Sequence, residues 1–210
     1  EISLGLVGSE MCIRDRCNED IALMRTIPGM TILNPADDVE ARAAVKAAIE
    51  MEGPVYLRFG RLAAPIFNDP ETYQFEIGKG ITLREGKDVT LVATGLMVSE
   101  ALDAAEQLAA DGISARVLNI HTIKPLDVDL IAKAAAETEL LITVEEHSII
   151  GGLGAAVAEA VCDTCPVPVV RIGVNDEYGH SGPAVDLLKE FGLCAEHIVE
   201  VTKASMAKKA

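Results

Sequence analysis

Two arginines near the end of an apolar segment are the residues best suited to bind a ligand. Residues 55–59 are predicted to form a strand, Arg58 lies within it, and Arg61 lies just past its end. Sheets of alternating strands and helices bind ligands beyond the carboxyl ends of their strands. A guanidinium is always charged, and its fixed donors suit bidentate binding of a phosphate. For Arg61 a salt bridge at the surface or at an interface is the alternative in so acidic a chain.

A second polar group, formed by Glu145, Glu146 and His147, lies at the end of another predicted strand. Two carboxyl groups beside an imidazole could carry acid–base chemistry. The remaining histidines are interpreted as structural or solvated residues, and they are His121, His180 and His197.

Two short motifs have the spacing of binding sites but are interpreted otherwise. Residues 151–154 (GGLG) open a predicted helix after a strand, yet they lack the full dinucleotide-binding spacing, so close packing of helix on sheet is favoured. Cys162 and Cys165 have redox spacing, but they end a predicted helix, whereas a thioredoxin-type motif opens one. No second cysteine pair or nearby histidine completes a zinc site, and no metal site is predicted.

The elements that position these residues form two α/β blocks. In the first, a short helix at 19–25 is followed by a strand at 30–33, a helix capped by Asp37 or Asp38, and the strand at 55–59. Strand, helix and strand with short links form one βαβ unit. Residues 62–87 are irregular and rich in proline and glycine, which is typical of an interdomain linker, with room for a short strand near Ile81.

The second block begins at Asp88 and alternates regularly between strands and helices. Such alternation predicts a three-layer α/β fold, with a mostly parallel sheet covered by helices on both faces. Its strands are expected at 89–93, 115–120, 140–144 and 167–174, and its helices near 98–110, 127–135, 152–161, 184–191 and 195–207.

Composition excludes several classes of function. The 210 residues carry 33 acidic and 18 basic side chains, a formal charge of −15, so nucleic acid and anionic membrane surfaces are disfavoured as partners. No apolar stretch is long enough to span a bilayer. Five cysteines without a regular framework favour a reduced, cytoplasmic location. Residues 1–16 do not join smoothly to the regular pattern that begins at Cys17 and are interpreted as a non-native leader.

Five segments form a recognisable pattern between about Cys17 and the C-terminus. They are NPADDVEA (34–41), VYLRFGR (55–61), ALDAAEQLAADGISARVLNIHTIKPLD (101–127), LLITVEEHSIIGGLGAAVAEAV (140–161) and SGPAVDLLKEFGL (181–193). Together these segments resemble the transketolase family, and the combination of IKPLD with VEEH and GGLG is specific. The 1-deoxyxylulose-5-phosphate synthases and the 2-oxo acid dehydrogenase β subunits share the architecture more loosely.

The resemblance implies a division of labour along the chain. Residues 17–66 correspond to the end of a pyrimidine-binding domain, 67–87 to a linker, and 88–210 to the transketolase C-terminal domain, which mainly packs and dimerises. Arg61 matches the family's phosphate-binding arginine, and Arg58 is a weaker second contact. Glu145, Glu146 and His147 belong to the module remote from the reacting ring, so they are interpreted as interface or interdomain contacts.

The resemblance also implies what a complete enzyme would need. Such enzymes use thiamine diphosphate and Mg²⁺, and most of their ligands are expected outside this chain, with no catalytic, cofactor-binding or metal residue assigned here. The expected function is part of a transketolase acting on sugar phosphates, inactive without an N-terminal subunit or N-terminal domains, in a homodimer or heterotetramer. A 1-deoxyxylulose-5-phosphate synthase-like enzyme and a non-catalytic dimerisation or regulatory module are the alternatives.

Overall fold

The computed structural model describes residues 18–60, 62–180 and 182–209. The predicted non-native leader at 1–16 and the candidate phosphate ligand Arg61 both lie outside the described residues. None of the helices in these three ranges combines the length and the apolar character that crossing a membrane requires.

The first block, called here the N-terminal block (residues 18–60), has the predicted βαβ order. Helix α1 spans Asp20–Arg25, strand β1 Thr31–Leu33, helix α2 Asp38–Glu50 and strand β2 Val55–Leu57. Strands β1 and β2 pair in parallel, with Thr31 opposite Val55. Strand β2 is shorter than the predicted 55–59, since the backbone N–H of Arg58 makes the last bond of the ladder, to Leu33 O at 2.9 Å.

The second block, called here the C-terminal domain (residues 80–209), confirms the three-layer α/β prediction. Its five-stranded sheet has the order β3-β5-β4-β7-β8 and is parallel except for β3, which pairs antiparallel with β5. The elements are β3 (Ile81–Arg84), β4 (Val89–Ala93), α3 (Met97–Ala110), β5 (Ala115–Asn119), β6 (Thr122–Lys124), α4 (Val128–Thr138), β7 (Leu141–Ser148), α5 (Leu153–Thr164), β8 (Val169–Val174), α6 (Ala184–Glu190) and α7 (Ala195–Lys209).

Apolar side chains fill both spaces between the five-stranded sheet and its helices. One cluster joins Leu91 and Ile142 to α3, α6 and α7, and the other joins Val92 and Leu141 to α4 and α5. Alternate strand residues therefore point to opposite layers, as a sheet covered on both faces requires. The predicted linker is correspondingly shorter, because β3 lies within 67–87 and belongs to this sheet.

Strand β6 joins the two blocks and was not predicted. It leaves the C-terminal domain to pair antiparallel with β1, which gives a separate sheet of order β2-β1-β6. The Lys124 ammonium continues this contact by donating to the carbonyls of Arg25 at 2.8 Å and Ile27 at 2.7 Å. The N-terminal block is thus completed by a strand of the other block.

Candidate functional site

A cavity of about 420 Å³ lies where the chain leaves β2, next to the start of α2. Its walls are mostly apolar, with Asp37 and Asp38 as the acidic members. Gly60 and Leu62 both line it, and residue 61 is outside the described residues. The full lining is Pro35, Ala36, Asp37, Asp38, Ala41, Phe59, Gly60, Leu62, Ala63, Ala64, Ile66 and Leu96.

Arg58 does not line this cavity but is buried in an ion pair. Its Nε donates to Asp20 Oδ2 at 2.9 Å, and its Nη2 donates to the carbonyl of Glu146 at 2.9 Å. Tyr56 Oη donates to the same Asp20 oxygen at 2.7 Å. The guanidinium therefore links α1, β2 and β7, and any contact of Arg58 with a phosphate stays a prediction.

Two carboxyl groups at the start of α2 hold the linker against the N-terminal block. Asp37 caps α2 by accepting the Glu40 N–H at 2.9 Å, and its Oδ2 accepts the N–H groups of Phe67 and Asn68 at 3.1 and 2.9 Å. The buried Glu40 carboxyl accepts from Ala36 N at 2.6 Å, Asn119 Nδ2 at 2.8 Å and Tyr73 Oη.

Burial shifts the pKa values of Glu40 and of its hydrogen-bond partner Tyr73. Desolvation raises the pKa of Glu40 to about 7, although its hydrogen bonds partly oppose the shift. Desolvation and the nearby Glu40 charge raise the pKa of Tyr73 above its ordinary value. An ionised Tyr73 is thereby excluded, and the hydroxyl acts as a donor to the carboxyl group.

Glu145 stabilises the start of helix α5. Its two carboxyl oxygens accept the N–H groups of Leu153 and Gly154 at 2.6 and 2.8 Å, which satisfies two of the free donors at that end. The side chain is fully buried, and desolvation raises its pKa to about 7. A Cβ at Gly152 would overlap Glu145 Oε2, so the GGLG segment serves close packing, as predicted.

His147 contacts α1 across the boundary between the blocks. Its Nε2 accepts the Ala22 N–H at 3.3 Å, and its Nδ1 lies 2.7 Å from the Ser148 carbonyl. Arg25 adds a bond to the Gly151 carbonyl at 2.7 Å. Together with the Arg58 bond to the Glu146 carbonyl, these contacts agree with the interpretation of Glu146 and His147 as interdomain contacts. For Glu145 the interpretation differs from the structure, because both of its carboxyl oxygens bind α5 within the C-terminal domain.

The other histidines and the described cysteines do not line the cavity next to α2. His121 is buried, lies 4.3 Å from the Phe75 ring, and has its pKa lowered to about 4 by desolvation. His180 pairs with Glu190 at 2.8 Å, and His197 is part-exposed on α7 beside Glu200. The three described cysteines, Cys162, Cys165 and Cys194, are free.

Asp20 is the most important polar residue that the sequence did not reveal. It follows two other polar residues at the start of a short helix, where any acidic side chain favours the helix N-terminus. Nothing in that pattern distinguishes a surface carboxylate from the buried partner of Arg58. Glu40 and Tyr73 were likewise missed as a pair, because they are 33 positions apart and meet only through folding.

The fold and the cavity define an α/β protein of two joined units with a ligand-sized site at a strand end. Residues 78–198 match the family described as transketolase, C-terminal domain, and residues 15–66 match the transketolase pyrimidine binding domain. The chain belongs to the transketolase family, as the sequence motifs predicted.

Known relatives are transketolase-type proteins. A 6-deoxy-6-sulfo-D-fructose transketolase subunit of Clostridium sp. (strain MSTE9) is 45% identical over 205 residues, which cover 94% of this chain and 63% of that protein. The 1-deoxy-D-xylulose-5-phosphate synthase of Heliobacterium modesticaldum is 40% identical over 186 residues, or 88% of this chain and 29% of that protein.

A solved structure shares the fold over most of the present chain. It is described as a split gene transketolase, inactive β4 tetramer, and it matches with a TM-score of 0.86 and 45% identity. The match covers 91% of this chain and 62% of that chain. The present chain therefore spans about three-fifths of the length of this structure and of the sulfofructose transketolase subunit.

Proposed function

We propose that this chain is the C-terminal part, or the C-terminal subunit, of a transketolase that moves a two-carbon ketol unit between sugar phosphates. The observation that carries the proposal is the consecutive match to the pyrimidine-binding and C-terminal domains, in a chain whose relatives include a transketolase subunit. Its partner is an N-terminal subunit or N-terminal domains, assembled as a homodimer or heterotetramer. The free cysteines support a cytoplasmic location.

We propose that the described residues supply few of the ligands of a thiamine diphosphate site. In the complete enzyme that cofactor, with Mg²⁺, supplies the carbanion and the electron sink. Within 18–60, 62–180 and 182–209 no cluster of three or more histidine, cysteine or acidic residues could hold a metal ion. Glu40 and Glu145, the deeply buried carboxyl groups, are occupied by backbone N–H groups. We therefore propose that most cofactor ligands come from other parts of the assembly.

We propose that this chain contributes substrate binding through Arg61. The cavity of about 420 Å³ beside its neighbours Gly60 and Leu62 has the size of a small-molecule site. Asp37 and Asp38 in the same cavity would repel a phosphate, so a phosphate needs a compensating cation, and Arg61 is our candidate because it stands between Gly60 and Leu62 in the sequence. Arg58 remains the weaker candidate, because contact with a phosphate would cost it the bonds to Asp20 and Glu146.

The first test is turnover by the purified 210-residue chain. With thiamine diphosphate and Mg²⁺ but no added partner, we expect no ketol transfer, in keeping with the relative described as an inactive β4 tetramer. Addition of a polypeptide that carries the diphosphate-binding module should produce activity. Turnover by the chain alone would refute the incomplete-site proposal. Inactivity with every transketolase N-terminal partner tested would favour a non-catalytic dimerisation or regulatory module.

The second test is Arg61→Ala in the completed assembly. Loss of a charge-assisted phosphate bond costs about 1.5–3 kcal/mol, which is roughly ten- to a hundredfold in KM for phosphorylated substrates. Unphosphorylated ketoses should be affected far less. Arg171→Ala is the matched control, because this exposed arginine of β8 does not line the cavity and donates to the Ile149 carbonyl. Equal losses on both classes of substrate would instead indicate a structural role for Arg61.

The second candidate function is that of a 1-deoxyxylulose-5-phosphate synthase. It is favoured by the 40% identity to such an enzyme over 88% of this chain. Assay of the completed assembly for both products separates the two candidates: ketol transfer between sugar phosphates supports the transketolase, and formation of 1-deoxyxylulose 5-phosphate supports the synthase.

A further inference from the structure

Helix α1 rests on the C-terminal domain at the corner where β7 leads into α5. The Ser148 N–H donates to the Asn18 carbonyl at 2.7 Å, and the Ala22 N–H donates to His147 Nε2 at 3.3 Å. A Cβ at Gly151 would come within 2.7 Å of the Ala22 Cβ, so only glycine allows this approach. His147 therefore lies at the joint between the blocks.

The hydrogen bonds of His147 indicate a neutral ring with the proton on Nδ1. The Ser148 carbonyl, 2.7 Å from Nδ1, can only accept, so Nδ1 carries a hydrogen. The Ala22 N–H can only donate, so Nε2 must be free of a proton to accept it. The side chain is fully buried, and desolvation lowers the pKa of His147 below its ordinary value.

A buried carboxylate oxygen faces this ring without a hydrogen bond. Asp20 Oδ1 lies 3.7 Å from His147 Nε2 and has no hydrogen-bond partner among the described residues. The other oxygen, Oδ2, receives both the Arg58 guanidinium and the Tyr56 hydroxyl. Buried carboxylate oxygens are normally satisfied, and a donor at Nε2 would satisfy this one.

We propose that His147 and Asp20 form a proton-operated latch between the two blocks. A proton taken from solvent binds His147 Nε2, which releases the Ala22 N–H and donates instead to Asp20 Oδ1. The neutral contact between α1 and β7 becomes an ion pair within a buried joint. Strand β7 and helix α1 therefore stay in contact, and the ion pair between His147 and Asp20 replaces the hydrogen bond between the Ala22 N–H and His147.

The charged groups around the ring decide when the latch responds. Arg58 lies on the β2 side and opposes protonation, whereas Asp20 on α1 and the backbone carbonyls of Glu19 and Ser148 favour it. Arg25, also on α1, is compensated by Glu159 of α5 at 2.6 Å. Tyr56 on β2 donates its hydroxyl to Asp20 Oδ2, which leaves Oδ1 free for the imidazolium.

Glu145 does not replace Asp20 in this role. Its Oε2 lies 3.7 Å from His147 Nδ1, but both of its oxygens already accept N–H groups of α5. Burial raises its pKa to about 7, so at more acidic pH the carboxyl is largely protonated and provides little negative charge. Asp20 is therefore the carboxylate that compensates a charged His147.

The sign of the effect on stability follows from the buried ring. An unfolded histidine takes up its proton near pH 6.5, and a folded histidine with a lowered pKa does so only at more acidic pH. The contribution of neutral His147 to stability is therefore complete above pH 6.5 and is lost as the pH falls below it. The ion pair with Asp20 limits this loss.

The test is a histidine titration by NMR on the full 210-residue chain. Long-range ¹H–¹⁵N spectra between about pH 8 and 5 report tautomer and charge for each ring, and the part-exposed His180 and His197 serve as internal references. We expect His147 to be Nδ1-protonated at the alkaline end and to take up its second ring proton only below the ordinary histidine pKa. The Ala22 amide resonance should shift over the same pH range, and its protection from exchange, corrected for the intrinsic pH dependence of the exchange rate, should fall. An Nε2–H tautomer at the alkaline end, or protonation without a response of Ala22, would overturn the proposal.

A matched pair of variants isolates the carboxylate. Asp20→Asn should lower the proton affinity of His147 at least about tenfold, since the compensating charge is lost. Asp38→Asn removes an exposed carboxylate that pairs with Arg42, and it should leave the titration unchanged. If Asp20→Asn folds and His147 titrates as in the wild type, the latch is wrong. The wild-type titration decides the question by itself if that variant does not fold.

Discussion

The N-terminal block and the C-terminal domain have similar elements but different sources of cohesion. Two apolar clusters on the faces of the five-stranded sheet stabilise the C-terminal domain. The buried apolar cluster of the other block consists of Ile21, Ile32 and Ile123, and the last of these comes from β6. Buried polar bonds through Asp20 and Glu40 contribute the rest. The difference indicates that a few buried hydrogen bonds and ion pairs contribute much of the stability of the N-terminal block. The stability of the C-terminal domain comes mainly from the packing of its apolar core.

The largest effect is expected from Asp20→Ala. Breaking a buried ion pair leaves the Arg58 guanidinium uncompensated, which costs about 3–5 kcal/mol. Amides of β1 and β2, which should already exchange faster than those of β4 in the wild type, should then lose most of their protection. Amides of β4 should be little changed. Hydrogen exchange followed strand by strand measures both.

Leu91→Ala is the matched change in the C-terminal domain. A cavity at this fully buried position costs about 2–5 kcal/mol, and it should lower the protection of every strand, because the N-terminal block depends on β6. If Asp20→Ala reduces protection in β4 as much as in β1, the two blocks unfold as one and the comparison fails.

A second effect concerns pH. Glu40 has its pKa raised from 4.5 to about 7, so the folded state holds this proton more tightly than the unfolded state. Its contribution to stability is therefore complete below pH 4.5 and is lost as the pH rises towards 7. The loss is of the order of 3 kcal/mol, at about 1.4 kcal/mol for each pH unit.

Glu40→Gln should remove this dependence. The difference in free energy of unfolding between wild type and variant, measured by urea denaturation at about pH 5 and pH 8, should favour the wild type more at the acidic pH. Glu106→Gln on the exposed side of α3 serves as the control, with no change in that difference. A difference that is the same at both pH values for Glu40→Gln would show that the burial of this carboxyl has no energetic consequence.

The smallest effect is expected at the two ends of the linker. Asp37 caps α2 and holds Phe67 and Asn68, and Asp127 caps α4 by accepting the Leu130 N–H while its Oδ2 accepts the Gly80 N–H at 3.1 Å. Replacement of either aspartate by asparagine keeps one side-chain oxygen, which can still accept the cap N–H of the helix. It removes the second oxygen, which accepts the linker N–H groups. Each lost linker bond costs about 0.5–1.5 kcal/mol.

Proteolysis can detect these losses separately. Asp37→Asn should speed chymotryptic cleavage after Phe67, and Asp127→Asn should speed tryptic cleavage after Lys79. Because Asp37 holds two linker N–H groups and Asp127 holds one, the first variant should show the larger change. Equal acceleration at both sites by either variant would mean that the linker is released as a unit.

Local pattern predicted the elements whose signals lie within a short stretch of sequence. The apolar strands of the C-terminal domain and the caps at Asp37 and Asp127 follow from neighbouring residues alone. Strand β6 escaped prediction because three residues carry little periodicity, and its partner β1 is distant in sequence. The apolar residues of α2 were misleading in a similar way, since Val45 and Ile49 are 38% and 80% exposed while Glu40 is buried.

The candidate site also combines features that the sequence predicts with features that form only on folding. Motif resemblance assigned Arg61 and Arg58 a phosphate role together, because spacing cannot show which way a side chain points. Arg58 turns towards Asp20 and β7, and only the folded chain reveals this. The cavity beside Gly60 is likewise formed by segments that are separate in sequence.

The placement of β6 has a consequence for how a gene of this kind can be divided. A break in the polypeptide between residues 62 and 80 would put β1 and β6 on different molecules, although they share one ladder of backbone hydrogen bonds. Each product would then carry an unpaired strand edge, which invites aggregation. Fission of the gene between these two blocks should therefore be disfavoured, and the blocks should be inherited, exchanged or expressed together as a single unit.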